Sequence, residues 1–134
     1  MSKIRVFGER SELGYITYIY VLNPMKGTNL GEFEELVLLT MASLSSDAYS
    51  VAICDELEKR TGRTVKLGVV HAVLNRLEEK GLAKSKLGEA TSVRGGKRKR
   101  YYTVTGGGKA ALLRAREVRE GLWRSIPELA IKRV

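Results

Sequence analysis

Between Gly31 and Leu44 the inward-type positions Phe33, Leu36, Val37, Thr40, Met41 and Leu44 recur at three- and four-residue spacing, the repeat of one helix face. Ser45-Ser46-Asp47 then offers a stop and an N-cap for a second, shorter helix, whose buried face is expected to carry Tyr49, Ala52, Ile53 and Leu57, with Gly62 closing it. A third helix is predicted from Leu67, Val70, Val73, Leu74 and Leu77, and it should end at Lys80-Gly81-Leu82. There Gly81 can take the left-handed conformation and Leu82 the accompanying apolar contact.

The period then changes. Leu82-Ala83-Lys84-Ser85-Lys86-Leu87 and Arg100-Tyr101-Tyr102-Thr103-Val104 read as two short strands, and the basic, turn-like stretch between them makes an antiparallel hairpin with a charged tip. Thr105 caps a last helix that Pro127 ends. In it Ala111, Ala115, Val118 and Leu122 form one seam, with Leu112, Arg119 and Trp123 beside it. Three helices, a hairpin and a helix make a mainly α chain with a small β-hairpin (α+β). The fold expected is a winged helix-turn-helix over residues 25–134, with a wing at about 82–104 and a C-terminal dimerisation helix at about 106–124.

Residues 1–24 read differently. The run Tyr15 to Leu22 is strand-like and stops at Asn23-Pro24. A signal peptide is the competing reading, but no small-residue cleavage site follows. An N-terminal extension ahead of a second start at Met25 is expected, and no function is assigned to it.

Charge sharpens the picture. Of 134 residues, 24 are Lys or Arg and 15 Asp or Glu, a formal charge of +9, which suits a polyanionic partner. Its distribution is uneven. Gly27 to Glu58 holds seven acids and no base, whereas Lys59 to Arg116 holds sixteen bases and three acids. The single Cys54 excludes an intramolecular disulfide and gives no zinc-ligand spacing, so a buried core thiol in a reducing cytoplasm is expected, with no cofactor and no metal. No run approaches the roughly 18 apolar residues of a membrane span, so no membrane partner is expected. Gly106-Gly107-Gly108-Lys109 lacks the first glycine of a phosphate-binding loop and has Ala110 where Ser or Thr would hold magnesium. Cys54 and His71 are too isolated to form a nucleophile and base, so no enzyme activity is expected.

With its apolar stripe turned inward, the third helix presents Lys66, Gly68, Val69, His71, Ala72, Asn75 and Arg76 outward. Such a helix fits the major groove of duplex DNA, where Asn75 suits adenine and Arg76 guanine. A solvated polar face is the bland alternative. Arg94-Gly95-Gly96-Lys97-Arg98-Lys99-Arg100 packs five bases into seven residues, a cluster that phosphates relieve, and the glycines let it bend toward a backbone or minor groove. Arg98 and Arg100 lead the wing candidates, with Arg94, Lys97, Lys99 and Tyr102 beside them.

Several segments together resemble the PadR family of bacterial transcription regulators, in its small single-domain form. They are Gly31-Glu32-Phe33-Glu34-Glu35-Leu36-Val37-Leu38-Leu39, Ala48-Tyr49, Leu74-Asn75-Arg76-Leu77-Glu78-Glu79-Lys80-Gly81-Leu82, and Gly95 through Thr105 with its tyrosine pair. The resemblance spans about residues 30–122 and implies a homodimer, usually repressing, that grips a palindromic double-stranded operator and is completed by its last helix. It departs at Val69-Val70-His71, where the family usually carries threonine, a hydrophobe and tyrosine, so the operator contact there is expected to differ. His71 either meets a phosphate or base, which would make binding pH-dependent, or packs against the core.

Val118, Leu122 and Trp123 are the candidates for the dimer seam. In some small members the resemblance implies a cavity between subunits that takes flat aromatic compounds, and Trp123 either lines such a cavity or, the preferred reading, simply packs the dimer. Leu38 and Leu39, outside the main stripe of the first helix, are expected to help the dimer. The alternative functions are a small-molecule sensor, for a drug or phenolic compound, whose dimer cavity is the main site, and an interaction module that uses the acidic first helix to hold a protein.

Overall fold

The computed structural model describes residues 30–89 and 98–128. Its elements are α1 (Glu32–Leu44), α2 (Ser50–Thr61), α3 (Leu67–Glu79), β1 (Ala83–Leu87), β2 (Arg100–Val104) and α4 (Gly106–Arg124), with a 3-10 turn at Ser45–Asp47. The order is the one the periodicity predicts. The extension 1–24 lies outside the described residues, and so do Arg94 and Lys97, expected at the hairpin tip.

Helices α1, α2 and α3 pack on one another, the hairpin closes against α1 and α3, and α4 returns to α1 and β2. Leu38, Met41, Ile53, Leu57, Leu74, Leu77 and Leu82 are the largest fully buried side chains of the core. Cys54 is buried as expected, its thiol donating to the Val65 carbonyl at 3.3 Å.

The helix stops follow glycine conformation. Gly62 (φ +73°) ends α2, and Gly81 (φ +77°) ends α3 in a region that side-chain-bearing residues rarely occupy. The Gly81 N–H donates to the Glu78 carbonyl at 3.0 Å and the Leu82 N–H to the Leu77 carbonyl at 2.9 Å, the paired bonds of a Schellman motif, while Leu82 enters the core. At the other junction Thr105 caps α4: its Oγ1 accepts from the Gly108 N–H at 3.0 Å and donates to the Gly81 carbonyl at 2.7 Å.

Four expectations are corrected. Leu38, assigned to the dimer, is fully buried in the core, and only Leu39 is exposed. Leu67 is exposed instead of buried. The N-cap of α2 is Tyr49, and Asp47 stays in the preceding 3-10 turn. The reason is tertiary: Ala48 is drawn into the core and its carbonyl accepts the Tyr102 N–H at 2.8 Å, so Tyr49 is held extended and bridged to Tyr101 of β2, and α2 cannot begin earlier. Tyr49 therefore pairs with the hairpin and is only half-buried, where a fully buried helix position was expected.

Candidate nucleic-acid interface

Along α3 the residues Val70, Val73, Leu74 and Leu77 face the core, which turns Gly68, Val69, His71, Ala72, Asn75 and Arg76 outward, with Lys66 exposed at the N-cap. The alternative that put His71 against the core falls, because His71 is exposed.

Arg76 is engaged inside the protein. Its Nε donates to Glu34 Oε2 at 2.9 Å, and Lys80 Nζ donates to the same carboxylate at 3.0 and 3.1 Å. Glu34 also accepts the Gly31 N–H at 3.0 Å, one half of a capping box that glycine cannot reciprocate. Burial pushes the Glu34 carboxyl up, but the Gly31 N–H, the Arg76 guanidinium and the Lys80 ammonium outweigh it and hold the group down at about 2. Arg76 thus lies on the flank of α3 that faces α1, about half of its side chain still exposed.

The hairpin sits on the opposite flank. Strands β1 and β2 pair antiparallel from Ala83 with Val104 to Leu87 with Arg100. Glu78 Oε2 accepts from Ser85 Oγ at 2.9 Å and from its N–H at 3.2 Å, and Arg100 donates to the same Ser85 hydroxyl at 3.1 Å. Arg100, Ser85 and Glu78 form a short polar chain from β2 to α3. On a helical wheel Glu78 and Arg76 fall on opposite sides of the exposed strip Gly68, Ala72, Asn75. The cationic strand end and Arg76 therefore flank this strip from two sides instead of adjoining.

Alternation along β2 sends Tyr102 and Val104 inward. Tyr102, which the sequence offers as a DNA contact, is 6% exposed and belongs to the core, which removes it from the interface. Burial, aided by Glu78, raises its phenol above the usual range against the pull of Arg100. Tyr101 instead meets Tyr49 edge to face at 5.6 Å between centroids, and the Lys99 ammonium lies 4.6 Å from the Tyr49 ring centre. Arg98 Nε donates to the Gly88 carbonyl at 2.9 Å. Arg98, Lys99 and Arg100 are all exposed.

On α4, Val118, Leu122 and Trp123 are exposed at 52, 64 and 55%, an apolar seam left uncovered by the described residues. Between α1 and α4 lies a groove of about 470 Å³ lined by Glu35, Leu39, Lys109, Leu112, Leu113, Arg116, Arg119, Glu120 and Trp123. Arg119 crosses it to Glu35 at 2.6 Å, and Arg116 pairs with Glu120 at 2.8 Å. The three acids of the first turn of α1 are all spent on such pairs, Glu32 with Arg63 at 2.6 Å, Glu34 with Arg76 and Lys80, and Glu35 with Arg119.

Sequence reasoning missed Glu34, Glu35, Tyr49, Glu78 and Ser85 as partners of the site. Only the first-turn acids left a local signal, as favourable charges at a helix N-terminus. Among the described residues no helix is long and apolar enough to cross a membrane.

The model of the transcriptional regulator PadR-like family matches residues 38–114. The chain belongs to that family. PadR-like proteins are DNA-binding transcription regulators and not enzymes, and the helices and hairpin described above are the family's winged helix. Among solved structures, a PadR family transcription regulator of Clostridium difficile is 29% identical over 70% of this chain and 88% of that one, with a TM-score of 0.54. A PadR-like transcription factor of Bacteroides fragilis is 24% identical over 78% and 93%, with a TM-score of 0.58. A PadR-like regulator of Bacillus cereus is 21% identical over 74% and 91%, with a TM-score of 0.59. The last two show the fold alone. Comparison with curated proteins returned no match.

Proposed function

We propose that this PadR-like protein is a repressor that binds a palindromic operator as a homodimer in the cytoplasm, with α3 of each protomer in a major groove and the hairpin tip against the adjoining backbone. One observation carries the proposal: the strip Gly68, Ala72, Asn75 of α3 is exposed, and the cationic end of β2 is tied to the same helix through Ser85 and Glu78. Lys66, Gly68, His71 and Asn75 form the groove-facing set, and Arg94, Lys97, Arg98, Lys99 and Arg100 the backbone-facing one. Arg76 is kept as a phosphate contact only, since Glu34 holds its Nε. The apolar seam of α4 pairs the protomers and sets the two α3 helices about 34 to 36 Å apart, one turn of DNA.

Selection of bound sites from random DNA tests this. The expected result is an inverted repeat whose affinity falls steeply with salt, with a log-log slope near −0.9 per phosphate contacted. Failure to enrich any sequence, or affinity indifferent to salt, contradicts it.

A second reading rests on the α1–α4 groove, where Leu39, Leu112, Leu113 and Trp123 supply an apolar lining. A planar aromatic effector bound there should quench Trp123 fluorescence and loosen operator binding by roughly 1 to 3 kcal/mol. Against the protein-docking alternative, the first-turn acids it needs are engaged in intramolecular ion pairs.

A further inference from the structure

Among the described residues nothing requires residue 68 to be glycine. It is the second residue of α3, its φ is not in the left-handed region, and a Cβ built on it meets none of the described residues within 4 Å. Glycine weakens a helix relative to alanine, so a residue that neither turns nor packs there points to something outside the chain that approaches closely. Its neighbours share an unusual character. Val69 is 47% exposed and Ala72 is exposed too, although neither offers a hydrogen bond from its side chain.

This apolar strip does not lie on a generally apolar surface. Lys66 stands at its N-terminal end, and the strand end with Arg98, Lys99 and Arg100 stands on the Glu78 flank of the same helix. The charge around it selects a polyanion, while the strip itself selects an apolar feature. In the major groove of DNA the apolar feature a base pair presents is the C5-methyl group of thymine.

We infer that Gly68, Val69 and Ala72 form a thymine-reading surface, Val69 and Ala72 packing on C5-methyl groups and Gly68 allowing the helix to come close enough for that contact. This deepens the operator proposal and rests on it. The first half of α3 discriminates bases by shape and methyl contact, and hydrogen-bonded readout is left to Asn75 and His71. The operator half-site should therefore hold thymine beneath the N-terminal part of α3.

The test uses the full chain and the site obtained by selection. Each thymine of a half-site is replaced in turn by deoxyuridine, which keeps the pairing edge and removes only the methyl group. Affinity should fall about three- to fivefold at one or two positions, the worth of one buried methyl group. Val69→Ala should bind the thymine site more weakly by a similar factor and lose the difference between thymine and uracil at one of those positions. Gly68→Ala should raise the thermal midpoint and yet reduce operator affinity at least tenfold, a split that a structural role of Gly68 would not produce. If a site is enriched but uracil is tolerated at every position, or Val69→Ala keeps the full discrimination, the inference is wrong and the operator proposal stands. If no site is enriched, the operator proposal fails and the inference with it.

Discussion

Glu34 of α1 accepts a 2.9 Å hydrogen bond from Nε of Arg76 on α3, although the two residues lie 42 positions apart in the chain. The carboxylate also takes Lys80, so one buried acid anchors the last turns of α3 to the first helix.

Stability should record this anchor. The Glu34 carboxyl is held at about 2 in the folded protein against an ordinary value of 4.5, so it is a depressed acid. Its contribution is complete above pH 4.5 and is lost as pH falls toward about 2. Glu34→Gln should cost roughly 2 kcal/mol at neutral pH, less than a fully buried pair because Arg76 is half exposed, and should flatten the acid limb of stability. Urea unfolding at pH 7 and pH 3 measures both. Equal losses at the two values would contradict the assignment.

Two glycines of α4 should respond in opposite directions. A Cβ on Gly108 would lie 2.1 Å from the Leu82 carbonyl oxygen and 2.7 Å from Val104 Cγ1, and backbone cannot yield as a side chain would. Gly108→Ala should destabilise by about 3 kcal/mol. Gly121 has none of the described residues within 4 Å of its Cβ position, so Gly121→Ala should stabilise by about 0.5 to 1 kcal/mol. Thermal unfolding of the two variants checks the contrast.

Alanine at Lys97, Arg98, Lys99 and Arg100 together should weaken binding to all DNA sequences alike. The log-log salt slope should become shallower by about one for each lost phosphate contact. Unchanged affinity would exclude the hairpin from the interface.

Val118→Glu with Leu122→Glu places two charges on the exposed seam of α4. Sedimentation should show a monomer that keeps its helical circular dichroism, since neither side chain belongs to the core of one chain. A dimer that survives both changes would move the interface elsewhere.

Cys54 should resist thiol reagents until the protein unfolds. Burial first, and the nearby Glu58 and Asp55 after it, push the thiol up, away from the reactive thiolate. Labelling across a urea titration should therefore follow the unfolding curve, and rapid labelling of the native protein would contradict it.

The local code was legible where its cause is local. Val70, Val73, Leu74 and Leu77 of α3 are buried as their spacing predicts, Gly81 ends that helix, and Thr105 begins the next, because periodicity, left-handed glycine and a capping hydroxyl act within a few residues. Periodicity locates a face to within about one residue, so its edges were misjudged: Leu67 turns outward and Leu38 inward. Tyr49 and Tyr102 depended on a contact the sequence does not display, the Ala48 carbonyl bonded to the Tyr102 N–H and Tyr49 bridged to Tyr101.

What the chain alone determined is the element order, the apolar faces and the concentration of positive charge between Lys59 and Arg116. Which cations remain free for a partner was decided only by the tertiary structure. Folding brought the acids of α1 against Arg63, Arg76, Lys80 and Arg119, and set Glu78 beneath the hairpin. Coulombic pairing depends on distance in space, and distance along a sequence does not report it.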